Sequence, residues 1–305
     1  MKTSAKIYVA GHTGLLGSAV VRTLRANGYN NILTAPSREL DLTNQAAVNE
    51  WFKQNTPDYV FLCAGKVGGI MANSTQRGDF IYINTLIQFN VIHAAYLYDV
   101  VKLIAVGSSC IYPAHSEQPI KEEYLLSGSL EPTNEPYAVS KIAALKLCDA
   151  YRSQFDCDFI SAMPTNLYGL NDTYDGFNSH VIPAMIKKFH RASGDVTIWG
   201  TGEVYREFLF ADDCADALLF LMNNYSQAGH INIGTGEEVT INELAKKIAF
   251  VTGFQGNILN DITKPDGMRR KVLDCSKMTG IGWRPSTSLH DGLKKTYNDY
   301  SIKYR

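Results

Sequence analysis

Residues 6–28 read KIYVAGHTGLLGSAVVRTLRANG. A strand-like apolar run ends at Gly11, two further glycines follow at 14 and 17, and apolar residues then return at helical spacing. Missing Cβ atoms let a strand-to-helix turn tighten, let backbone N–H groups approach a pyrophosphate, and let the helix pack closely on the strand, while the helix N-terminus favours negative charge. Three glycines would also serve an ordinary tight turn. At the first strand and helix of an alternating chain they predict a dinucleotide site built from Gly11, His12, Thr13, Gly14, Leu15, Leu16 and Gly17.

The alternation continues outward. NILTAP precedes NQAAVNEWFKQN, YVFLCAG precedes the long helical run DFIYINTLIQFNVIHAAYLYD, and KLIAVGSS and DFISAMP flank a helix opened by Pro136. Apolar runs separated by helices predict a parallel sheet covered on both faces and joined by right-handed crossovers. The expected class is α/β, a Rossmann-type doubly wound sheet. Beyond about residue 170 the rhythm loosens into the loop LNDTYDGFNS, the helix VIPAMIKKFHRA, the strand VTIWG and shorter pieces ending in the helix of SLHDGLKKTYNDY. The expected division is a dinucleotide-binding domain over 1–169 plus roughly 208–236, and a smaller mixed α/β substrate lobe over roughly 170–207 and 237–305.

Lys plus Arg number 29 and Asp plus Glu 30, a net charge of −1 without any like-charged run, which argues against nucleic acid or an anionic membrane as partner. The N-terminus carries no signal core and no apolar run approaches the roughly 18 residues of a membrane span, so a cytoplasmic protein is expected. Cysteines at 63, 110, 148, 157, 214 and 275 are scattered without a C-x-x-C pair, which predicts neither a metal site nor a disulfide framework. Cys110 stands apart because of its setting in GSSCIYP, 107–113, at the end of a strand.

At the tip of the second strand an acidic side chain would hold a ribose 2′-hydroxyl and a cationic one a 2′-phosphate. TAPSREL, 34–40, presents Ser37 and Arg38, which favours NADP(H), with Glu39 one step of register from reversing the preference. Asp41 either caps the next turn or faces adenine. In PYAVSK, Tyr137 and Lys141 are four apart and share a helix face. A phenol that titrates near pH ~10 is a poor acid-base group at neutral pH, and an ammonium and a helix N-terminus beside it are expected to lower that value. With Ser108 after the fourth strand, the set is a Ser-Tyr-Lys site.

At this point the chain resembles the extended short-chain dehydrogenase/reductase family. AGKVGGI (64–70), GSSCIYP, LEPTNEPYA (130–138), MPTNLYG (163–169), NSHVIPA (178–184) and KPDG (264–267) are similar to the GDP-L-fucose synthases within it, from about residue 5 to 300. The resemblance implies epimerisation of GDP-4-keto-6-deoxy-D-mannose at C3 and C5, NADPH-dependent reduction at C4, and a homodimer built on helices 78–98 and 136–155. It implies cofactor contacts from the glycine turn, Lys141, Pro164, Thr165, Asn166 and Leu167, with His180 near the nicotinamide, and substrate contacts from Lys188, Trp199, Arg206 and Asp266. Lys188 and Arg206 suit a diphosphate, Trp199 a stacking face, and Asp266 a sugar hydroxyl or guanine. Position 188 carries Lys where the family also uses Arg, and GMRR replaces the usual threonine-proline after KPDG.

A ketone at C4 acidifies the protons at C3 and C5, because their loss leaves charge on the C4 oxygen. Ser108 and Tyr137 suit that oxygen as donors; Cys110 as thiolate base and His180 as imidazolium acid suit the two faces of the sugar. Two other functions compete. One is a sibling C5-epimerase/4-reductase of the GDP-colitose type. The other is a non-catalytic NADP-binding regulator, which would have no use for an intact Ser108-Tyr137-Lys141 relay.

Overall fold

The computed structural model describes residues 1–176, 178–264 and 266–304. In chain order the first part runs β1 (Ile7–Ala10), α1 (Leu15–Ala26), β2 (Ile32–Leu33), α2 (Gln45–Asn55), β3 (Tyr59–Leu62), α3 (Ile70–Thr75), α4 (Arg77–Leu97), β4 (Lys102–Val106), α5 (Glu135–Phe155) and β5 (Phe159–Pro164). It continues through β6 (Asn166–Tyr168), α6 (Val181–Arg191), β7 (Val196–Trp199), β8 (Tyr205–Arg206), β9 (Phe208–Phe210), α7 (Ala211–Asn224) and β10 (His230–Ile233). The last part holds β11 (Val239–Thr240), α8 (Ile241–Thr252), β12 (Ile258–Asp261), β13 (Arg270–Lys271), α9 (Ser276–Gly280) and α10 (Leu289–Lys303).

Six strands form one parallel sheet in the order β10-β5-β4-β3-β1-β2. Side chains alternate across it, so Ile7 and Val9 enter a core shared with α1 and α7, while Tyr8 and Ala10 enter a second core shared with α2, α4 and α5. Both faces of the central strands are buried, which is why β1 and β3 read as continuous apolar and aromatic runs. Strand order reverses between β1 and β3, and ligands of open α/β sheets bind beyond the carboxyl ends of the strands at such a switch point. The glycine turn after β1 and the segment after β3 meet there.

Three observations amend the expectations. β2 pairs through only Ile32 and Leu33; Pro36 accepts from the amides of Glu39 and Leu40, so the chain turns away from the edge before Ser37. α4 is long and apolar enough, by length and composition, to cross a bilayer, contrary to the reading of the sequence. Here its face bearing Phe80, Asn84, Gln88, Val91 and Ile92 is buried against the sheet layer. Lastly, KPDGMRRK contains β13, which joins β8 and β11 in a three-stranded sheet, with Lys271 in register with Arg206.

A further core lies outside the six-stranded sheet, in which Ile182, Ile186 and Phe189 of α6 meet Ile198 of β7, Leu244 and Ile248 of α8, and Leu293 and Tyr300 of α10, together with Tyr168, Phe208 and Phe210. α8 starts on a reciprocal capping box between Thr240 and Glu243 and stops at Gly253 in the left-handed region.

Candidate active site

Gly11 has φ +83°, and a Cβ there would lie 2.7 Å from Cα of Ala64, so both conformation and close approach require glycine. Gly17 packs on the carbonyl of Gly11, where no side chain fits. Gly14, by contrast, opens α1 with room for a Cβ in ordinary contact with the Gly11 carbonyl at 3.5 Å, no side-chain cap and no acidic residue in the first turn. An unneutralised helix N-terminus flanked by glycine fits the pyrophosphate of a dinucleotide. His12 and Leu15 are half-buried and Thr13 exposed, its carbonyl accepting from Asn171 Nδ2 at 2.8 Å; Leu16 is turned into the core.

Ser37 and Arg38 sit on the exposed turn after β2, with 84% of the Arg38 side chain accessible and its Nε 3.6 Å from Glu39 Oε1. Such an exposed pair is weak and yields readily to a phosphate. Asp41 accepts from the amide and hydroxyl of Thr43 at 2.9 and 2.7 Å, bonds that hold its carboxyl below the usual range. It therefore caps the turn. Arg38→Ala is expected to raise KM for NADPH about tenfold, the scale of a lost charge-assisted bond, with KM for NADH unchanged; steady-state kinetics with both cofactors checks this, and equal losses would remove Arg38 as the reader of the 2′-phosphate.

β4 ends at Val106 and the chain enters a short 3-10 turn, Ser109–Ile111, with Ser108 Oγ accepting from the amide of Cys110 at 3.3 Å. The Ser108 hydroxyl also bonds to Tyr137 on the first turn of α5. Lys141, one helical turn on, is buried; its Nζ donates to the carbonyl of Val106 at 2.8 Å and lies 5.8 Å from the Tyr137 ring centre. Burial drives the two groups apart in the opposite sense to that expected. The Tyr137 hydroxyl is pushed up, by desolvation first and by the nearby Cys110 second, and the Lys141 ammonium is pushed down to about 8. Tyr137 is thus held as the neutral phenol, the form that can donate a proton.

Cys110 is half-buried and its sulfur receives two donors, Asn134 Nδ2 at 3.4 Å and Lys271 Nζ at 3.6 Å. Lys271 escaped the sequence reading because it lay in what looked like a polar loop. Only the folded register reveals it: β13 places it beside Arg206, already a candidate. His180 is the residue preceding the first turn of α6; solvent reaches it, yet the protein mass around it disfavours its charged form and lowers its value.

Pro164 ends β5, the amide of Thr165 donates to Ile233 at 2.9 Å, and Asn166 Nδ2 donates to the carbonyl of Glu207 at 2.8 Å, while Leu167 packs at the edge of the first core. Glu207, fully buried, was not anticipated. Its carboxylate accepts from the amides of Thr235, Gly236 and Leu273 at 2.6, 2.8 and 2.9 Å, and burial still raises its value.

In the lobe, Trp199 is 57% exposed at the end of β7, with Lys264 Nζ 5.7 Å from its ring centre. Lys188 is exposed and its Nζ donates to the carbonyl of Thr197. Half-buried Arg206 donates to the carbonyl of Tyr205 at 2.7 Å and feels the charge of Asp266. Asp266 uses both carboxylate oxygens on Thr201, accepting from its amide at 2.7 Å and its hydroxyl at 2.9 Å, and so braces that turn.

Residues 7–234 match the NAD dependent epimerase/dehydratase family. The chain belongs to that family. It is 54% identical to GDP-L-fucose synthase 1 of Arabidopsis thaliana over 97% of this chain and 93% of that one, and 46% identical to GDP-L-fucose synthase of Escherichia coli K12 over 96% and 95%. Its fold superposes on the GDP-L-fucose synthetase of Naegleria fowleri bound to NADP with a TM-score of 0.93, 28% identity, and coverage of 100% and 96%. The six-stranded parallel sheet is the Rossmann-like sheet of this epimerase/dehydratase family.

Proposed function

We propose that the protein is an NADP(H)-dependent epimerase-reductase that converts GDP-4-keto-6-deoxy-D-mannose to GDP-L-fucose. The observation that carries this is a thiol holding two donors, Asn134 and Lys271, within charge range of a neutral, half-buried Tyr137 bonded to Ser108. A reductase alone needs only the second group.

In this reading Ser108 and Tyr137 donate to the C4 oxygen while charge develops there. Cys110, held between the Lys271 ammonium and the Asn134 amide, takes the protons at C3 and C5. His180 returns a proton on the opposite face. NADPH, when bound, supplies hydride at C4. Tyr137 then gives its proton to the C4 oxygen, and Lys141 holds positive charge beneath it. Arg206 and Lys188 hold the diphosphate and Trp199 offers the face for a ring.

Two copies pair through the outer faces of α4 and α5, where Tyr82, Phe89, Leu97, Val139 and Phe155 are exposed, and the enzyme works in the cytoplasm. The function is tested by incubating the protein with NADPH and GDP-4-keto-6-deoxy-D-mannose and identifying the sugar by NMR. Inversion confined to a 3-deoxy substrate would instead indicate a colitose-type enzyme, and tight NADPH binding without turnover a regulator.

Lys141 sets a pH limit. Its folded value of about 8 lies below the ordinary 10.5, so its ammonium is present at neutral pH and lost as pH rises through about 8. The reductive kcat should fall over that interval. Stability should move the other way, because between about 8 and 10.5 the unfolded chain binds the extra proton and the cost of burying the charge disappears. A pH series of kcat beside urea midpoints checks both, and a kcat that stays flat through this range would show that the ammonium is not required.

A further inference from the structure

AGKVGGI leaves β3 toward the site, and none of its residues enters the mechanism above. Its path is tightly fixed. Asn84, fully buried, accepts from the amide of Lys66 at 2.9 Å and donates to its carbonyl at 3.0 Å. Buried Asn73 donates to the carbonyls of Gly68 and Gly69 at 2.7 and 3.1 Å. The two glycines then meet the turn that carries His180. The amide of Gly69 donates to the carbonyl of Asn178 at 3.2 Å, and a Cβ on Gly69 would lie 2.7 Å from the carbonyl oxygen of Ser179. A Cβ on Gly68 would lie 2.9 Å from Ala72 Cβ and 3.3 Å from Phe80 Cζ. Neither glycine has positive φ, so close approach and not backbone freedom demands them.

At its other end the same segment touches the reductive side: a Cβ on Gly65 would lie 3.8 Å from Lys141 Nζ, and Phe80 stands edge-on to Tyr137 at 6.1 Å between centres. We propose that the Gly68–Gly69 turn, clamped by Asn73, is a positioning element for His180 that sets where the returning proton is delivered during epimerisation, leaving hydride transfer to Tyr137 and Lys141. This rests on the epimerase-reductase reading. The two peptide units before His180 are held by backbone contact with a segment that is itself pinned to the nucleotide-binding sheet. A shift of those units carries the imidazole with it.

Gly69→Ala should displace the 178–180 turn. It should lower formation of inverted product by about 10- to 100-fold, the scale of an acid misplaced by about an ångström, with oxidation of GDP-L-fucose by NADP+, which needs no inversion, within about twofold of the parent. Asn73→Ala adds no atom near the site and should change the same ratio in the same direction by less, so the proposal remains testable if Gly69→Ala does not fold. His180→Ala is the reference. If both variants keep the parental ratio, or if inversion and hydride transfer fall in equal proportion, the turn is only structural and the proposal fails. If His180→Ala itself inverts normally, the epimerase assignment of His180 fails first.

Discussion

Cys110→Ala is expected to abolish deuterium exchange into C3 and C5 of the 4-keto sugar in heavy water with NADP+ present, while NADPH binding is retained. NADP+ blocks reduction, so exchange reports the base alone. The thiol lies between Asn134 and Lys271 and outside the glycine turn, which separates its loss from cofactor binding. With NADPH the variant should still reduce the ketone slowly, giving a sugar not inverted at C3 and C5. His180→Ala should block inversion but leave some exchange, because the base remains. Normal exchange and inversion in Cys110→Ala would return the thiol to a space-filling role and make another residue the base.

Tyr137→Phe should lower the reductive kcat by about two orders of magnitude or more, the contribution of a positioned general acid. Substrate affinity should change little, since the ring and its packing against Phe80 remain. Exchange at C3 and C5 should survive at a reduced rate, with Ser108 still donating to the C4 oxygen. The decisive measurement is single-turnover reduction at saturating substrate. Near-parental reduction would mean that the proton comes from elsewhere.

The sheet was legible because its central strands bury both faces and the first ends in a turn with a geometric requirement for glycine, as Gly11 and Gly17 illustrate. The grouping of Ser108, Tyr137 and Lys141 was legible for a similar reason: helical spacing alone places two of these residues on one face. What could not be read were contacts made by elements too short to have a period. β8 and β13 have two residues each, so neither Lys271 beside Cys110 nor its register with Arg206 is visible in the chain. The bracing of Thr201 by Asp266 was likewise hidden, because nothing local to KPDG points to Thr201. The direction of the Tyr137 shift was also missed, since spacing shows a neighbouring charge but not how far both groups are removed from water.

Glu207 carries a consequence for motion. Its carboxylate gathers amides from the loop after β10 and from the chain after β13, and its carbonyl takes the side chain of Asn166 after β5. Swinging the lobe away from the sheet would strip these partners from a fully buried acid, at about 1–3 kcal/mol for each unsatisfied group and more for one that is charged. The chain after β13 is therefore tied to the loop after β10 through one buried acid, and parting the two is expected to be costly.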